Sequence, residues 1–497
     1  MRRVKIQSGM LRYVVVASLL LLGAGCSAPD YETPSIDPHI RTLRPTDVGG
    51  EEDRDREEVV VSGKPLTLAQ CVQIALDRNP LRRAAEEGVT AARAVVGSVN
   101  SAYYPRVDLN AGYSRWERHI FLPDGIGQPG MASSVGPTDD WLASLNLRFT
   151  LFDSGQRRAE LLAAMAQESA ARNQAEEVRL DIALNVHQAY YGYLAAQEAL
   201  VIAEKNLARA TNHLNMAKEK KAAGVIPDAE VIRVQVEVAN DKLALVRARG
   251  MVRTALGQLN AAMGLPVGTS IEVQYTPVDV SSVDTIDVNE AMREAMHSRP
   301  ELAAALDRMA AAESEVKAAK SMFGPKVYTE ARYGREDATF FPEDKSWMMG
   351  LSIQVPLFDG HLRSHQVAQA RARSQELQAQ VQHLLLRVQE EVWTAHVHRT
   401  EAHETVAATQ AVLKEARESV RLVAERYQEG FATTNDLLDA EADLVRAEGQ
   451  HARARWDCRI AEAVLVRTIG RPVLSTERSP LHATTMLRPR IVFEELR

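Results

Sequence analysis

The chain has 497 residues, 45% hydrophobic and 25% charged, enough folded protein for two or three ordinary domains. A net charge of −7 gives no electrostatic case for nucleic-acid binding. The three cysteines, Cys26, Cys71 and Cys458, are too few for a disulfide framework and lie in no metal-ligand spacing, while 5% aromatic residues beside abundant alanine suit long, closely packed helices better than a large globular core.

Arg2, Arg3, Lys5 and Arg12 precede the apolar run Val14 to Leu22, which is too short to span a membrane as a helix and has the form of a signal-peptide core, giving a signal peptide over 1–25. Leu22-Gly23-Ala24-Gly25-Cys26-Ser27 resembles a bacterial lipoprotein box, in which Cys26 becomes the acylated N-terminus. It departs from that pattern by carrying Gly23 where leucine is usual; cleavage without lipidation is the alternative. By the same analogy, Ser27 directs the product to the outer membrane. Residues 26–64 carry four prolines and the mixed run Glu51 to Glu58, and are expected to be a solvated tether.

From residue 65 the chain is written twice. Asn79-Pro80 recurs as Arg299-Pro300 and Tyr104-Pro105 as Gly324-Pro325, both offset by 220. Leu151-Phe152-Asp153-Ser154-Gly155 recurs as Leu357-Phe358-Asp359-Gly360, offset by 206, as do Gly224 and Gly430, and Gly264 and Gly470. The repeats are expected at 65–270 and 271–472, with a tail over 473–497, and the second strand hairpin has the shorter loop.

Each repeat reads helix, strand, loop, strand, very long helix, break, helix. In the first, 66–104 is predicted helical, the hairpin strands fall at 107–116 and 141–151, and a helix from about 155 to 223 contains no proline. At about 1.5 Å per residue it is roughly 100 Å long, a length suited to a rod or a tunnel wall. A seven-residue seam runs along the helices: Leu200, Leu207 and Leu214 with Ala203, Ala210 and Ala217, and after the break Val231, Val238, Leu245, Val252 and Leu259. The second repeat answers with Val406, Leu413 and Val420, with Thr409, Ala416 and Val423, and with Leu437, Leu444, His451, Cys458 and Leu465. Such a seam means helices coiled on one another, and it makes His451 and Cys458 packing residues.

The second hairpin is predicted at 327–333 and 349–357. All four strands alternate apolar with polar or small residues over nearly the roughly 9–11 positions a tilted strand needs to cross a bilayer. Trp116, Trp141 and Trp347 stand at strand ends, where interfacial aromatics belong. Four strands cannot close a barrel, and lipid tolerates no open edge, so several copies must share one. Hydrophobic positions then face lipid, while Asp108, Asn110, Asn146, Arg148, Glu330 and Gln354 line water. A soluble sheet with one wet face is the alternative.

Two such repeats, with Leu-Phe-Asp-Ser-Gly closing a hairpin, resemble the TolC-like outer-membrane efflux proteins over roughly residues 66–472. The resemblance implies an α+β membrane protein: a homotrimer with a 12-stranded barrel continuous with an α-helical periplasmic tunnel. It implies docking of a periplasmic adaptor (a membrane fusion protein) and an inner-membrane pump, with no cofactor. It places the breaks Gly224-Val225-Ile226-Pro227 and Gly430-Phe431-Ala432-Thr433 at the adaptor-contacting tip. Asp436 and Asp439, spaced i,i+3 on one helical face, match the paired aspartates that ring the family's periplasmic entrance. Glu230 and Tyr427 match positions that lock it, and Ala432 replaces an arginine often used there.

No phosphate loop, dinucleotide fingerprint or nucleophile elbow is present, and no enzyme is expected. His361 and His365 are spaced i,i+4 on an expected helix, and His396, His398 and His403 cluster; without further ligands these are read as surface residues, with no metal. The rival function is a periplasmic coiled-coil scaffold or adaptor without a barrel. Substrate stays open among drugs, metal ions and proteins.

Overall fold

A computed structural model of the chain describes residues 65–116, 120–121, 134–135, 139–275 and 287–472. The expected signal peptide, Cys26, the tether and the tail over 473–497 lie outside these residues.

The helix expected over 66–104 is two helices and a 3-10 turn: α1 (Leu68–Arg78), α2 (Pro80–Asn100) and Ser101–Tyr103. Pro80 has no N–H to give and crowds the preceding residue out of the helical region, so Asn79 is extended and its side chain caps α2 by accepting from Leu81 N. The second repeat breaks likewise at Arg299-Pro300, between α5 (Val288–Ser298) and α6 (Pro300–Ser321). Thr67 starts α1 with a capping box to Gln70.

The sheet comprises β1 (Arg106–Arg115), β4 (Asp139–Phe152), β5 (Lys326–Asp337) and β6 (Lys345–Gln354), all antiparallel in the order β1-β4-β5-β6. The pairs β2 (Ile120–Phe121) and β3 (Ser134–Val135) form a separate ribbon. Two strand expectations are corrected. β5 continues past Tyr333 to Asp337 because β4 pairs with it as far as Trp141. β6 begins at Lys345 and stops at Gln354, earlier than the predicted 349–357, because Pro356 cannot donate to the ladder.

Both hairpins pass into helices through the same corner. Ser154 and Gly155, and again Gly360 and His361, take the left-handed conformation in succession. Asp153 accepts from Gly155 N at 3.1 Å, Arg157 N at 3.0 Å and Arg157 Nε at 2.6 Å; Asp359 accepts from Arg363 N and Nε. The two guanidiniums lie over the Tyr103 and Phe323 rings, 4.9 and 5.1 Å from their centroids. Each corner thus ties the second strand of its hairpin to the segment preceding the first.

From these corners run α3 (Gln156–Ala222) and α7 (Leu362–Gln428), both of 67 residues and about 100 Å long, and each turns back into α4 (Asp228–Ala262) or α8 (Thr434–Ile469). α3 packs on α4, α6, α2 and α8, while α7 packs on α8 and α6. Every predicted seam residue is buried or half-buried. Alanines at 203, 210, 217, 440, 447 and 454 are buried along these contacts, where their small side chains allow close approach.

Gly264 and Gly470 end the returning helices in the left-handed conformation, each against a proline corner: a Cβ on Gly264 would meet Asn79 Cα at 2.9 Å, and one on Gly470 would meet Ser298 C at 2.9 Å. Gly470→Ala is therefore expected to combine backbone strain with overpacking, costing about 2 kcal/mol or more. In a thermal-inactivation series its apparent midpoint should fall by several degrees, while Gly268→Ala, which meets open space, should leave it unmoved.

Candidate functional site

The strand registers put all six predicted water-lining residues on one face of the sheet. Asp108 stands opposite Asn146, Arg148 opposite Glu330, Asn110 opposite Ser144, and Lys326 opposite Gln354. Cross-strand partners share a face, and alternate positions along each strand return to it. On that face Arg148 pairs with Glu330 at 3.1 Å and Arg106 with Asp108 at 3.0 Å. The opposite face carries Val107, Leu109, Leu145, Tyr333, Trp347, Met349, Leu351 and Ile353, all exposed, with Met349 at 75%. An apolar surface of this size without a protein layer over it is what a lipid-facing wall requires. Trp141 closes one end of it, its ring tilted against Tyr113 at 4.4 Å between centroids and edge-on to Phe340 at 4.8 Å. No described helix is long and apolar enough to cross a membrane.

The two helix breaks are matched turns. Gly224 and Gly430 are left-handed (φ +73° and +81°), and each turn closes with two bonds: Gly224 N to Lys221 O and Val225 N to Lys220 O, then Gly430 N to Tyr427 O and Phe431 N to Arg426 O. This satisfies carbonyls the helix end would leave bare. Val225 at 69% and Phe431 at 73% exposure project into solvent. Ile226 does not. It packs into the cluster of Ala217, Val231 and Val234, bracing the entry to α4 as a hydrophobic staple.

Asp436 and Asp439 are both exposed near the start of α8. They differ in bonding: Asp436 Oδ2 accepts from Thr433 N and Thr433 Oγ1, each at 2.8 Å, while Thr433 Oγ1 accepts from Asp436 N. These bonds, led by the Thr433 N–H, hold the Asp436 carboxyl below its ordinary range. Asp436 is thus a capping-box partner as well as an acid at the turn. The Tyr427 ring takes Lys220 Nζ at 4.0 Å from its centroid. Glu230 lies 3.9 Å from Arg233 Nη1, and its Oε2 is buried without a hydrogen-bond partner. The two tips are joined by Lys220–Tyr427 and by Arg233 Nη1 donating to Asn435 Oδ1 at 2.7 Å. Lys220, Arg233 and Asn435 were not singled out in the sequence, because a cation facing a ring on a helix 200 positions away leaves no local pattern.

The expected helical pair His361 and His365 is corrected: His361 precedes α7 in the left-handed conformation, and its ring lies edge-on to Phe358. His396, His398 and His403 do not act as one group. His398 faces Glu401 in solvent, whereas His403 turns inward toward Cys458 and Glu462.

Comparisons with known proteins agree with this geometry. A model of the outer membrane efflux protein family matches residues 71–265 and 291–471. The chain is 28% identical to Protein CyaE of Bordetella pertussis over 82% of this chain and 84% of that protein. It is 23% identical to the pyoverdine export outer membrane protein OpmQ of Pseudomonas putida, over 92% and 97%. Its fold matches the outer membrane protein VceC of Vibrio cholerae with a TM-score of 0.70 at 20% identity, covering 81% of this chain and 96% of that one. The scaffold reading without a barrel falls on these matches. The chain belongs to the outer membrane efflux protein family and is an outer-membrane channel of the efflux and secretion type.

Proposed function

We propose that three copies of this chain form the exit duct of a tripartite efflux or type I secretion system, passively conducting what an inner-membrane pump delivers through a periplasmic adaptor. The observation that carries this is the two-faced, four-stranded sheet whose outer strands, β1 and β6, each leave one edge without a partner among the described residues. Three such sheets make the 12-stranded barrel, with Asp108, Asn110, Asn146, Arg148, Glu330 and Gln354 toward its lumen. Cys26 carries the lipid that anchors the tether at the outer membrane. The chain divides into repeats at 65–270 and 271–472. Mass measurement of the detergent-extracted outer-membrane complex is expected to give a trimer; a monomer released without detergent overturns the proposal.

In this reading the tips at Gly224–Ile226 and Gly430–Phe431 receive the adaptor, with Val225 and Phe431 as its apolar contacts. Asp436 and Asp439, repeated threefold, form two acidic rings at the periplasmic entrance, where they attract multivalent cations. Glu230, Tyr427 and their neighbours hold the entrance closed; Ala432 contributes nothing polar to that lock.

The bonding of Asp436 separates its two roles. Asp436→Asn with Asp439→Asn removes the charges while leaving an acceptor for Thr433, and it should weaken block by multivalent cations in single-channel recording by tenfold or more. Block unchanged in that variant removes these residues from the gate. Thr433→Ala should do the reverse. Loss of an N-cap costs about 1 kcal/mol at the helix start, so hydrogen exchange should quicken at Asn435 to Leu437 while cation block persists.

A further inference from the structure

Midway along the α7–α8 pair, three side chains of different chemistry converge. His403 on α7 faces Cys458 and Glu462, one turn apart on α8, and one ligand atom from each lies within 4.8 Å of the other two. Cys458 is fully buried, and the His403 side chain is 8% exposed. His403 Nε2 stands 3.2 Å from Glu462 Oε1, yet the two make no hydrogen bond and Nε2 is buried without any. That combination is informative. Atoms that hydrogen-bond point at each other, whereas two ligands of one ion point at a shared centre. Around a tetrahedral zinc with bonds near 2.1 Å, neighbouring N and O atoms stand about 3.4 Å apart.

We propose that His403, Cys458 and Glu462 bind a divalent transition cation of the zinc class, clipping α7 to α8. An imidazole nitrogen, a thiolate and a carboxylate are a borderline-soft set that suits zinc or cobalt better than magnesium or calcium. Binding exchanges the Cys458 S–H proton for a sulfur–metal bond, and that proton leaves to solvent. Thiolate and carboxylate then carry two negative charges against the ion's two positive ones. After burial, the Glu462 carboxylate also raises the thiol, while the Arg459 and Arg399 guanidiniums oppose it. Arg459 Nη1 donates to Glu462 Oε2 at 2.9 Å, while Oε1 faces the imidazole. Burial pushes the Cys458 thiol up to about 11, so without an ion the thiol keeps its proton.

The first repeat supplies an internal comparison. The positions 206 earlier are Gln197, Val252 and Leu256. The α3–α4 pair packs with no thiol, imidazole or carboxylate at these places, so coiling alone does not call for the triad. A packing role for Cys458, as the seam predicts, is compatible with this one.

The test uses the purified, detergent-solubilised full-length channel and Co2+ as the spectroscopic ion. Equimolar Co2+ should produce a thiolate-to-cobalt charge-transfer band with tetrahedral d–d bands, saturating at one ion per chain and displaced by Zn2+. Cys458→Ser should abolish the charge-transfer band, and Cys71→Ser should leave it intact. His403→Ala and Glu462→Gln should weaken Co2+ binding by about 100-fold or more, since even outer-shell losses cost 10–100-fold. No charge-transfer band in the wild-type channel overturns the proposal, whether or not any variant assembles. A band that survives Cys458→Ser overturns it as well.

Discussion

A backbone amide in hydrocarbon has no water to turn to, and each one left unpaired costs several kcal/mol. That constraint governs this molecule. β1 and β6 are ten-residue strands, each paired on one side only among the described residues, and the sheet's outer face is apolar from Val107 to Ile353. In water the edges would be satisfied but the apolar face would not; in lipid the face is satisfied and the edges are not. Closing the edges against further copies of the same sheet meets both demands at once. The helices follow from that closure. Each hairpin delivers its chain to a 67-residue helix through a left-handed corner fastened by an Asp–Arg pair, so the arrangement of strands in the barrel sets that of helices in the tunnel.

Much of this was legible in the sequence because period carries it. A seven-residue seam and a two-residue alternation are both long, and Leu200–Leu207–Leu214 or Asp108–Asn110 can be read without knowing what they meet. Errors arose where a short signal was ambiguous. Val355-Pro356-Leu357 reads as the end of a strand by hydrophobicity, but Pro356 cannot continue the ladder, and Leu357 is left almost wholly exposed. Residues 66–104 read as one helix because α1 and α2 are both amphipathic; Pro80 decides otherwise. The spacing of His361 and His365 suggested one helical face until the corner geometry placed His361 outside the helix.

At the tip, sequence gave position and structure gave bonding. Gly224 and Gly430 mark turns by their conformational freedom alone. Nothing in the string distinguishes Ile226, folded into the core of its own hairpin, from Val225 beside it, exposed. Nor does spacing distinguish Asp436 from Asp439. Only the bonds to Thr433 reveal that the first carboxylate is held back toward its own helix start while the second bears no such tie. The Asp439 carboxylate can therefore move more freely than that of Asp436, whose movement must also uncap α8.

The repeats provide a way to separate what folding demands from what it does not. The same chain solves the same packing problem twice, and where the demand is strict the solutions coincide. Gly264 and Gly470 both lie against a proline corner, and Asp153–Arg157 and Asp359–Arg363 both fasten a strand to a helix. Elsewhere the solutions differ. α4 begins on Pro227 and α8 on a Thr433–Asp436 capping box; the α3–α4 pair holds Gln197, Val252 and Leu256 where the α7–α8 pair holds His403, Cys458 and Glu462. The first is a difference of bonding and not of charge, since Glu230 stands where the second repeat has Asp436; the second puts metal-ligating chemistry into the α7–α8 pair alone. A helix pair that coils without the triad in the first repeat shows that coiling does not call for it in the second, which leaves His403, Cys458 and Glu462 to be explained by what the α7–α8 hairpin does.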